Sequence, residues 1–260
     1  MQKVTINKIL KKKGKTPIIC LTSYTKSMTE ILDKHCDVIL VGDSVGMVFY
    51  GMKTTRNVKL ETMILHGKAV KSAAKKSLVV VDMPYKTYSN KIIAYRNALK
   101  LMRLTKCDAV KLEGGKKIVN IIKYLINKGI PIMGHVGLLP QSSLRFKMKG
   151  KNKSEKENIY EDARALSKSG VFAIVMECVE ESLAKKITKN ISVPTIGIGA
   201  SKHCDGQILV IDDLIGMTNF VPKFVKQYSN VKKIIEKSVR NYCLDVKNRR
   251  FPFNRNTYRY

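Results

Sequence analysis

Eight short apolar runs rich in β-branched residues recur along this chain, and stretches with helical spacing separate most of them. The runs lie at 18–22, 37–42, 78–82, 108–112, 131–134, 171–176, 194–198 and 207–211. Continuous apolar strands that alternate with helices are typical of a parallel sheet covered by helices. Eight such strands within about 200 residues favour an α/β fold of the (β/α)8 TIM barrel type over an open doubly wound sheet.

The segments between the strands have the apolar periodicity of helices, and the clearest are 26–35, 60–75, 90–104, 116–127 and 156–169. Ser154, with Glu157 three residues later, predicts a capping box at the start of the last one. Residues 141–155 are polar and basic and predict a loop after the fifth strand. We expect one barrel domain over 1–260, with an N-terminal helix, a C-terminal helical extension and a basic tail at 247–260.

The net charge of +29, from 49 Lys and Arg against 20 Asp and Glu, raises the question of nucleic-acid binding. The lysines are scattered along almost every segment, however, and no recognisable DNA- or RNA-binding motif accompanies them. We therefore expect solvated lysine faces and no specific nucleic-acid partner. A basic RNA-associated protein on a barrel scaffold is the alternative from another functional class.

The location of the protein is predicted from its apolar segments and its cysteines. No stretch approaches the ~20 apolar residues that span a bilayer, and no apolar segment follows the basic N-terminus. The six cysteines include no Cys-x-x-Cys pair and most lie beside apolar runs, which predicts reduced, buried thiols. We expect a cytoplasmic protein with no membrane partner.

Polar side chains follow five of the eight predicted strands, and the glycine-rich segment 197–200 follows a sixth. The carboxyl ends of all strands in a parallel barrel meet at one face, where barrel enzymes have their active sites. The candidate residues there are Asp43, Ser44, Asp82, Lys111, Glu113, His135 and Glu177. Each alone has a structural explanation: Asp43 or Asp82 could cap a helix, and His135 could be a hydrogen-bonded core histidine. The convergence of all six strand ends favours a catalytic site.

The chemistry of this set can be narrowed by residue type. Three carboxylates without a cysteine or histidine pair (Asp43, Asp82 and Glu113) favour Mg²⁺. Lys111 and Ser44 can bind a substrate carboxylate, Glu177 can act as a base, and His135 can donate or shuttle a proton. These roles describe metal-assisted enolisation of a small 2-oxo acid and do not identify the acid.

Several long motifs resemble those of the ketopantoate hydroxymethyltransferase family: VGDSVGM at 41–47, DMP at 82–84, VKLEGG at 110–115, GHVGLLPQS at 134–142, MECV at 176–179 and PTIGIGASKHCDGQILV at 194–210. The resemblance extends from about residue 3 to the RFP at 250–252. It implies transfer of a hydroxymethyl group from methylene-tetrahydrofolate, as co-substrate, to 3-methyl-2-oxobutanoate. The product would be 2-dehydropantoate for pantothenate biosynthesis, formed through a Mg²⁺-stabilised enolate.

The same resemblance implies roles for individual residues. Asp43, Asp82 and Glu113 match the family's Mg²⁺ positions, and Asp43, Ser44, Asp82 and Lys111 match its substrate contacts. Glu177 matches the proton acceptor, and His135 lies in the GHVGL motif near the substrate. Family members are typically decamers, so we expect a homo-oligomer.

Three segments depart from the family pattern, and all of them are predicted to lie in loops at the mouth of the barrel. Thr25 stands where many relatives carry Asp, Met52–Arg56 replaces a segment that usually begins with His, and 143–151 is unusually basic. The alternative activity on the same fold is a Mg²⁺-dependent 2-oxo-acid lyase of the isocitrate-lyase or phosphoenolpyruvate-mutase type. Those enzymes usually carry a reactive cysteine loop, and no KKCGH-like segment is present in this sequence.

Overall fold

Eight parallel strands close into a barrel in the computed structural model, which describes residues 2–143, 147–219 and 221–258. The strands follow one another around the barrel in chain order, and β1 closes it by pairing with β8. Their bounds are β1 Ile18–Thr22, β2 Val38–Val41, β3 Leu78–Asp82, β4 Ala109–Glu113, β5 Ile132–Gly137, β6 Ala173–Glu177, β7 Thr195–Ile198 and β8 Gly206–Leu209. The predicted (β/α)8 barrel is confirmed.

Helices connect the strands on the outside of the barrel. They are α1 Ile6–Lys11 before β1, then α2 Lys26–Leu32, α3 Val45–Val48, α4 Leu60–Ala73, α5 Lys91–Thr105, α6 Val119–Asn127, α7 Lys153–Lys168 and α8 Glu181–Asn190, with 3-10 turns at Thr55–Asn57 and Gly115–Ile118. The connection from β7 to β8, residues 199–205, is fully described and contains no helix.

The barrel interior is filled by side chains from the strands, as their apolar composition requires. Every residue of β2, β3 and β4 is buried, so these strands face the interior on one side and helices on the other. Strand residues of the central cluster are Ile18, Cys20, Val38, Leu40, Leu78, Val80, Ala109, Met133, Ala173, Val175, Ile196 and Ile208. The inside of the barrel is therefore a packed core rather than a channel.

The N-terminal helix α1 closes the end of the barrel at which the strands begin. Thr5 caps the helix, and the fully buried Ile9 belongs to the same apolar cluster as the strand residues. Lys12 pairs with Asp37 at 2.7 Å and Lys13 pairs with Asp205 at 2.8 Å, just before β2 and β8. The end of the barrel at which the strands begin is therefore covered by α1 and its ion pairs.

The predicted capping box at Ser154 and Glu157 is wrong, because the N-cap of α7 lies two residues earlier than predicted. Asn152 is the N-cap and accepts a hydrogen bond from the backbone N–H of Glu155 at 2.9 Å. The Glu155 carboxylate accepts from the backbone N–H groups of Gly150 and Lys151. Asparagine caps helices as well as serine does, so two overlapping signatures competed here. Of the predicted loop 141–155, residues 144–146 lie outside the described residues.

The chain divides into two compact units, Met1–Val210 and Ile211–Tyr260. The second contains α9 Ile211–Leu214, α10 Val231–Lys247 and a 3-10 turn at Asn254–Asn256. The predicted N-terminal helix and C-terminal helical extension are thus confirmed, and the tail from 247 contains only that short turn within its described part. The assignment of 1–260 to one domain stays a prediction.

All six cysteines are free. Cys20, Cys36 and Cys107 are buried, whereas Cys243 is exposed on α10, so the prediction of buried cysteines is wrong for that residue. Cys243 lies on a helix that has no buried residue, whereas the three buried cysteines lie in or just before strands of the barrel. No helix within the described ranges combines the length and the apolar character needed to cross a membrane.

Candidate active site

The seven candidate residues lie at the carboxyl ends of five consecutive strands. Asp43 and Ser44 follow β2, Asp82 ends β3, Lys111 and Glu113 belong to β4, His135 belongs to β5 and Glu177 ends β6. The parallel register pairs Asp82 with Lys111 and Glu113 with His135 across neighbouring strands. Ser44 and Glu177 are half-buried and the others are buried.

The Lys111 ammonium lies between two of the three carboxylates. Its Nζ is 2.9 Å from Asp82 Oδ1 and 3.8 Å from Glu113 Oε1. The third carboxylate, Asp43, is linked to Asp82 through its own backbone N–H, which donates to Asp82 Oδ2 at 3.1 Å. The strand ends therefore bring Asp43, Asp82 and Glu113 into one buried group with a single lysine.

The pKa values show that this group is short of positive charge. Burial raises the pKa of Asp43, and the nearby charges of Asp82 and Glu113 raise it further. Burial also raises the pKa of Asp82, although Lys111 opposes the change. Burial alone would lower the pKa of Lys111, but the three carboxylates outweigh it and hold that pKa above its ordinary value. An added cation would stabilise the ionised carboxylates.

The donor chemistry fits a hard divalent cation. All three acidic side chains offer carboxylate oxygens, which Mg²⁺ prefers, and the buried Asp82 Oδ1 is held by the Lys111 ammonium at 2.9 Å. Within the described part of the chain, no three His, Cys, Asp or Glu side chains are already arranged around a common metal position. Instead the ammonium of Lys111 lies against two of these side chains. The identity of the metal ligands stays a prediction.

His135 lies between two acidic side chains from the neighbouring strands. Its Nδ1 is 3.3 Å from Glu113 Oε1 on β4, and its Nε2 is 3.4 Å from Glu177 Oε2 on β6. Burial and Lys111 would lower the pKa of His135, but Glu113 and Glu177 raise it to about 9. The imidazole is therefore protonated at neutral pH, with one N–H toward each carboxylate. Burial raises the pKa of Glu113, but His135 and Lys111 outweigh burial and lower it.

Two tyrosines and a glutamine contact the candidate residues and were not predicted. The Tyr24 hydroxyl, after β1, is 2.8 Å from Ser44 Oγ. Gln141, in the loop after β5, donates to Asp43, and Tyr88 bonds to Gln141. Gln141 belongs to the GHVGLLPQS motif, which was the one available signal for it. Thr25 caps α2, which gives the residue at this departure from the family pattern a local structural role.

Comparison with known proteins gives a family match over nearly the whole chain. The model of the ketopantoate hydroxymethyltransferase family matches residues 3–254. The 3-methyl-2-oxobutanoate hydroxymethyltransferase of Pelagibacter ubique (strain HTCC1062) is 53% identical over 258 residues, covering 99% of this chain and 100% of the relative. That of Phenylobacterium zucineum (strain HLK1) is 50% identical over 256 residues, covering 97% and 93%.

Solved structures with a similar fold have much lower sequence identity. A 2,3-dimethylmalate lyase of the PEP mutase/isocitrate lyase superfamily has a TM-score of 0.60 at 14% identity, covering 79% of this chain and 81% of that one. A phosphonopyruvate hydrolase in complex with oxalate and Mg²⁺ has a TM-score of 0.62 at 10% identity, covering 97% and 93%. At these identities the likeness shows the shared barrel fold alone.

Proposed function

Because this chain belongs to the ketopantoate hydroxymethyltransferase family, and so transfers a hydroxymethyl group to 3-methyl-2-oxobutanoate, we propose that the strand-end carboxylates and Glu177 carry out this reaction. Family membership also decides against the lyase alternative, since the lyases share only the fold with this chain. The product of the transfer is 2-dehydropantoate, an intermediate of pantothenate biosynthesis.

Asp43, Asp82 and Glu113 would hold a Mg²⁺ ion. When bound, the ion would neutralise charge on the carboxylate and ketone oxygens of the oxo acid and make the proton on C3 more acidic. The Lys111 ammonium and the Ser44 hydroxyl would bind the substrate carboxylate, and Asp43 and Asp82 would border the bound oxo acid. Tyr24 supports this assignment, because its hydroxyl holds Ser44 Oγ at 2.8 Å.

Glu177 would remove the proton from C3 of the oxo acid. The C3–H bond breaks, the proton moves to the Glu177 carboxylate, and the electron pair remains on the enolate. C3 then forms a bond to the one-carbon unit of methylene-tetrahydrofolate, and both carbon–nitrogen bonds of that unit break. A water molecule supplies the hydroxyl group, and the two nitrogens of the departing tetrahydrofolate take up the proton held by Glu177 and the remaining proton of the water. His135, whose Nε2 is 3.4 Å from Glu177 Oε2, would orient the base by directing its Nε2–H toward the carboxylate.

The remaining partners and the location follow from the same proposal. Methylene-tetrahydrofolate would be the co-substrate, and the net charge of +29 would favour the approach of an anionic folate. The protein would act in the cytoplasm, where thiols stay reduced, in agreement with its six free cysteines. By resemblance to its family it would assemble into a homo-oligomer, a decamer, without nucleic-acid or membrane partners.

The observation that carries this proposal is the burial of three carboxylates and one lysine beside the His135–Glu177 pair. A coupled assay tests it directly: the purified protein with Mg²⁺, 3-methyl-2-oxobutanoate and methylene-tetrahydrofolate should form 2-dehydropantoate. A chelator should abolish product formation, and added Mg²⁺ should restore it. A lyase or an RNA-associated protein would form no dehydropantoate.

The role of Glu177 is tested separately by hydrogen exchange. In deuterated water without folate, the native protein should exchange the C3 proton of 3-methyl-2-oxobutanoate, followed by proton NMR. Glu177→Gln should suppress this exchange by about 10²–10⁴-fold, since the amide cannot accept the proton. Glu157→Gln, on the exposed side of α7, is the matched control. Unchanged exchange in Glu177→Gln would assign the proton transfer to another base.

A further inference from the structure

Gln141 links residues that lie far apart in the sequence at the candidate site. It is 2% exposed and follows β5 in the described part of its loop. Its side-chain Nε2 donates to Asp43 Oδ2 at 2.8 Å and to the backbone carbonyl of Met83 at 3.0 Å, while its Oε1 accepts from the Tyr88 hydroxyl. One amide thereby fixes a carboxylate oxygen that follows β2.

The backbone of the same residue fixes a second carboxylate. The Gln141 N–H donates to Glu113 Oε2 at 3.1 Å, on β4. The Gln141 carbonyl accepts from Arg56 Nε at 3.0 Å, and the Arg56 guanidinium lies over the Tyr85 ring, 4.8 Å from its centroid. Arg56 closes the segment 52–56 that departs from the family pattern. Two of the three predicted metal ligands are thus hydrogen-bonded to a single residue, which is itself held in place.

The hydrogen bonds also fix which way the amide faces. The Met83 carbonyl can only accept a hydrogen bond, as can the ionised Asp43 carboxylate that would bind a cation, so the NH₂ end must point toward them. If the amide were turned over, its oxygen would face two acceptors in a buried site, which is unfavourable. The Tyr88 hydroxyl, as donor to Oε1, holds the other end. The carboxylate of Asp43 is therefore held in one orientation before any cation arrives.

We propose that Gln141 is a positioning residue that orients Asp43 and Glu113 for the divalent cation, with Tyr88 holding its amide. This inference rests on the proposed function, since it takes these carboxylates as metal ligands. Groups that hydrogen-bond to metal ligands fix their orientation, and their loss typically weakens metal affinity by about 10–100-fold. Gln141 thus acts on the site through the carboxylates, without contact to substrate.

The test compares metal affinity in variants of the full-length protein. Mn²⁺ serves as the probe, and its dissociation constant is measured by electron paramagnetic resonance without substrate. Gln141→Met keeps the length of the side chain and removes its hydrogen bonds, so the dissociation constant should rise about 10–100-fold. Gln227→Met, at an exposed position of the second unit, is the matched control and should bind Mn²⁺ as the native protein does.

A second variant keeps the inference testable if Gln141→Met does not fold. Tyr88→Phe removes the bond that holds the amide oxygen, together with the 3.3 Å contact of the same hydroxyl to the Glu113 backbone carbonyl, and keeps the Gln141 side chain, so it should weaken Mn²⁺ binding by a smaller factor of about three to ten. In both variants turnover should recover when Mn²⁺ or Mg²⁺ is raised to saturation, so that the effect appears in the metal constant rather than in kcat. A general loss of stability would not be reversed in this way.

The outcomes separate this inference from the proposed function. Native-level Mn²⁺ affinity in Gln141→Met, or in Tyr88→Phe where only that variant folds, overturns the role of Gln141 and leaves the proposed function intact. Failure of the native protein to bind Mn²⁺ overturns the metal site, and the role of Gln141 with it. Weakened affinity with kcat restored at saturating metal supports the positioning role.

Discussion

The Nε2 atom of His135 lies 3.4 Å from Oε2 of Glu177, on the neighbouring strand. Neither imidazole nitrogen has a hydrogen bond of good geometry among the described residues, and Nδ1 is 3.3 Å from Glu113 Oε1. A protonated imidazole thus joins the candidate metal site to the candidate base. Under the proposed function, charge stabilisation and proton transfer would meet at this one side chain.

Replacing His135 should impair proton transfer more than metal binding. His135→Asn removes the charged donor that faces Glu177, so we expect C3 proton exchange to fall by about 10²–10⁴-fold. The Mn²⁺ dissociation constant should change much less, because Asp43 and Asp82 keep their own contacts. Proton NMR in deuterated water measures the first quantity and electron paramagnetic resonance the second.

The control for this change is His35→Asn, at an exposed position, which should leave both quantities at native values. Native exchange rates in His135→Asn would mean that Glu177 needs no partner. A collapse of Mn²⁺ binding with little change in exchange would assign His135 to the metal site instead.

Asp43→Asn should abolish metal binding without weakening the fold. Burial and the charges of Asp82 and Glu113 raise the pKa of Asp43, so its ionised form destabilises the metal-free protein at neutral pH. Removing the charge while keeping the shape should leave the urea midpoint unchanged or higher. Mn²⁺ affinity should fall by at least about 10²-fold, because a ligand charge is lost.

Most buried substitutions destabilise, so a raised midpoint together with lost metal binding would be distinctive. Glu236→Gln, at an exposed position on α10, should change neither quantity. Retained Mn²⁺ affinity in Asp43→Asn would remove Asp43 from the ligand set.

The fold was predictable because the strands of a parallel barrel are buried on both faces and therefore have nearly continuous apolar sequences. The least accurate boundary was that of β5, predicted at 131–134 and observed at Ile132–Gly137, because Gly134 and His135 interrupt the apolar run while the backbone continues its ladder. The Ser154 capping box was wrong for a related reason. Asn152 and Ser154 are both possible N-caps, and the backbone of the folded protein places Asn152 at that position.

The acidic residues of the site were predictable from topology, since parallel strands end at one face. The contacts among them were not. That Lys111 lies against Asp82, or that His135 lies between Glu113 and Glu177, depends on register and burial. Gln141 was missed because its role depends on a loop after β5 that reaches Asp43 and Glu113, 98 and 28 residues away in sequence.

The carboxylate of Asp33 should stabilise the protein in a pH-dependent way. It accepts hydrogen bonds from the backbone N–H groups of Lys75, Lys76 and Ser77 at 3.0, 2.9 and 2.7 Å. Burial would raise the pKa of Asp33, but these N–H groups outweigh it and lower the pKa below its usual 3.8. The stabilisation is therefore complete above that value and is lost as the pH falls through the lower, folded-state pKa.

Asp33→Asn should accordingly lose about 1–3 kcal/mol of unfolding free energy at pH 7. Urea unfolding of both proteins from pH 7 to pH 2 should show a constant difference above about pH 4.5 that shrinks below it. Glu30→Gln, exposed on α2, should show a difference of at most about 0.5 kcal/mol throughout. A difference independent of pH would mean that the charge of Asp33 contributes nothing.

A side chain at Gly206 should destabilise the protein, because Gly206 lies at the seam where β8 pairs with β1 and the barrel closes. It pairs with Ile18 of β1 and with Ile196 of β7. A Cβ at this position would lie 2.5 Å from the Ile18 carbonyl oxygen and 2.8 Å from Ile196 Cδ1, so the strands would have to separate. Gly206→Ala should therefore lower the unfolding free energy by about 1–3 kcal/mol, which lowers Tm by about 2–4 °C per kcal/mol.

The control is Gln207→Ala, at the next and exposed position of β8, which should lower the unfolding free energy by less than about 1 kcal/mol. If thermal unfolding gave both variants the same Tm, the close approach at the seam would have no energetic consequence.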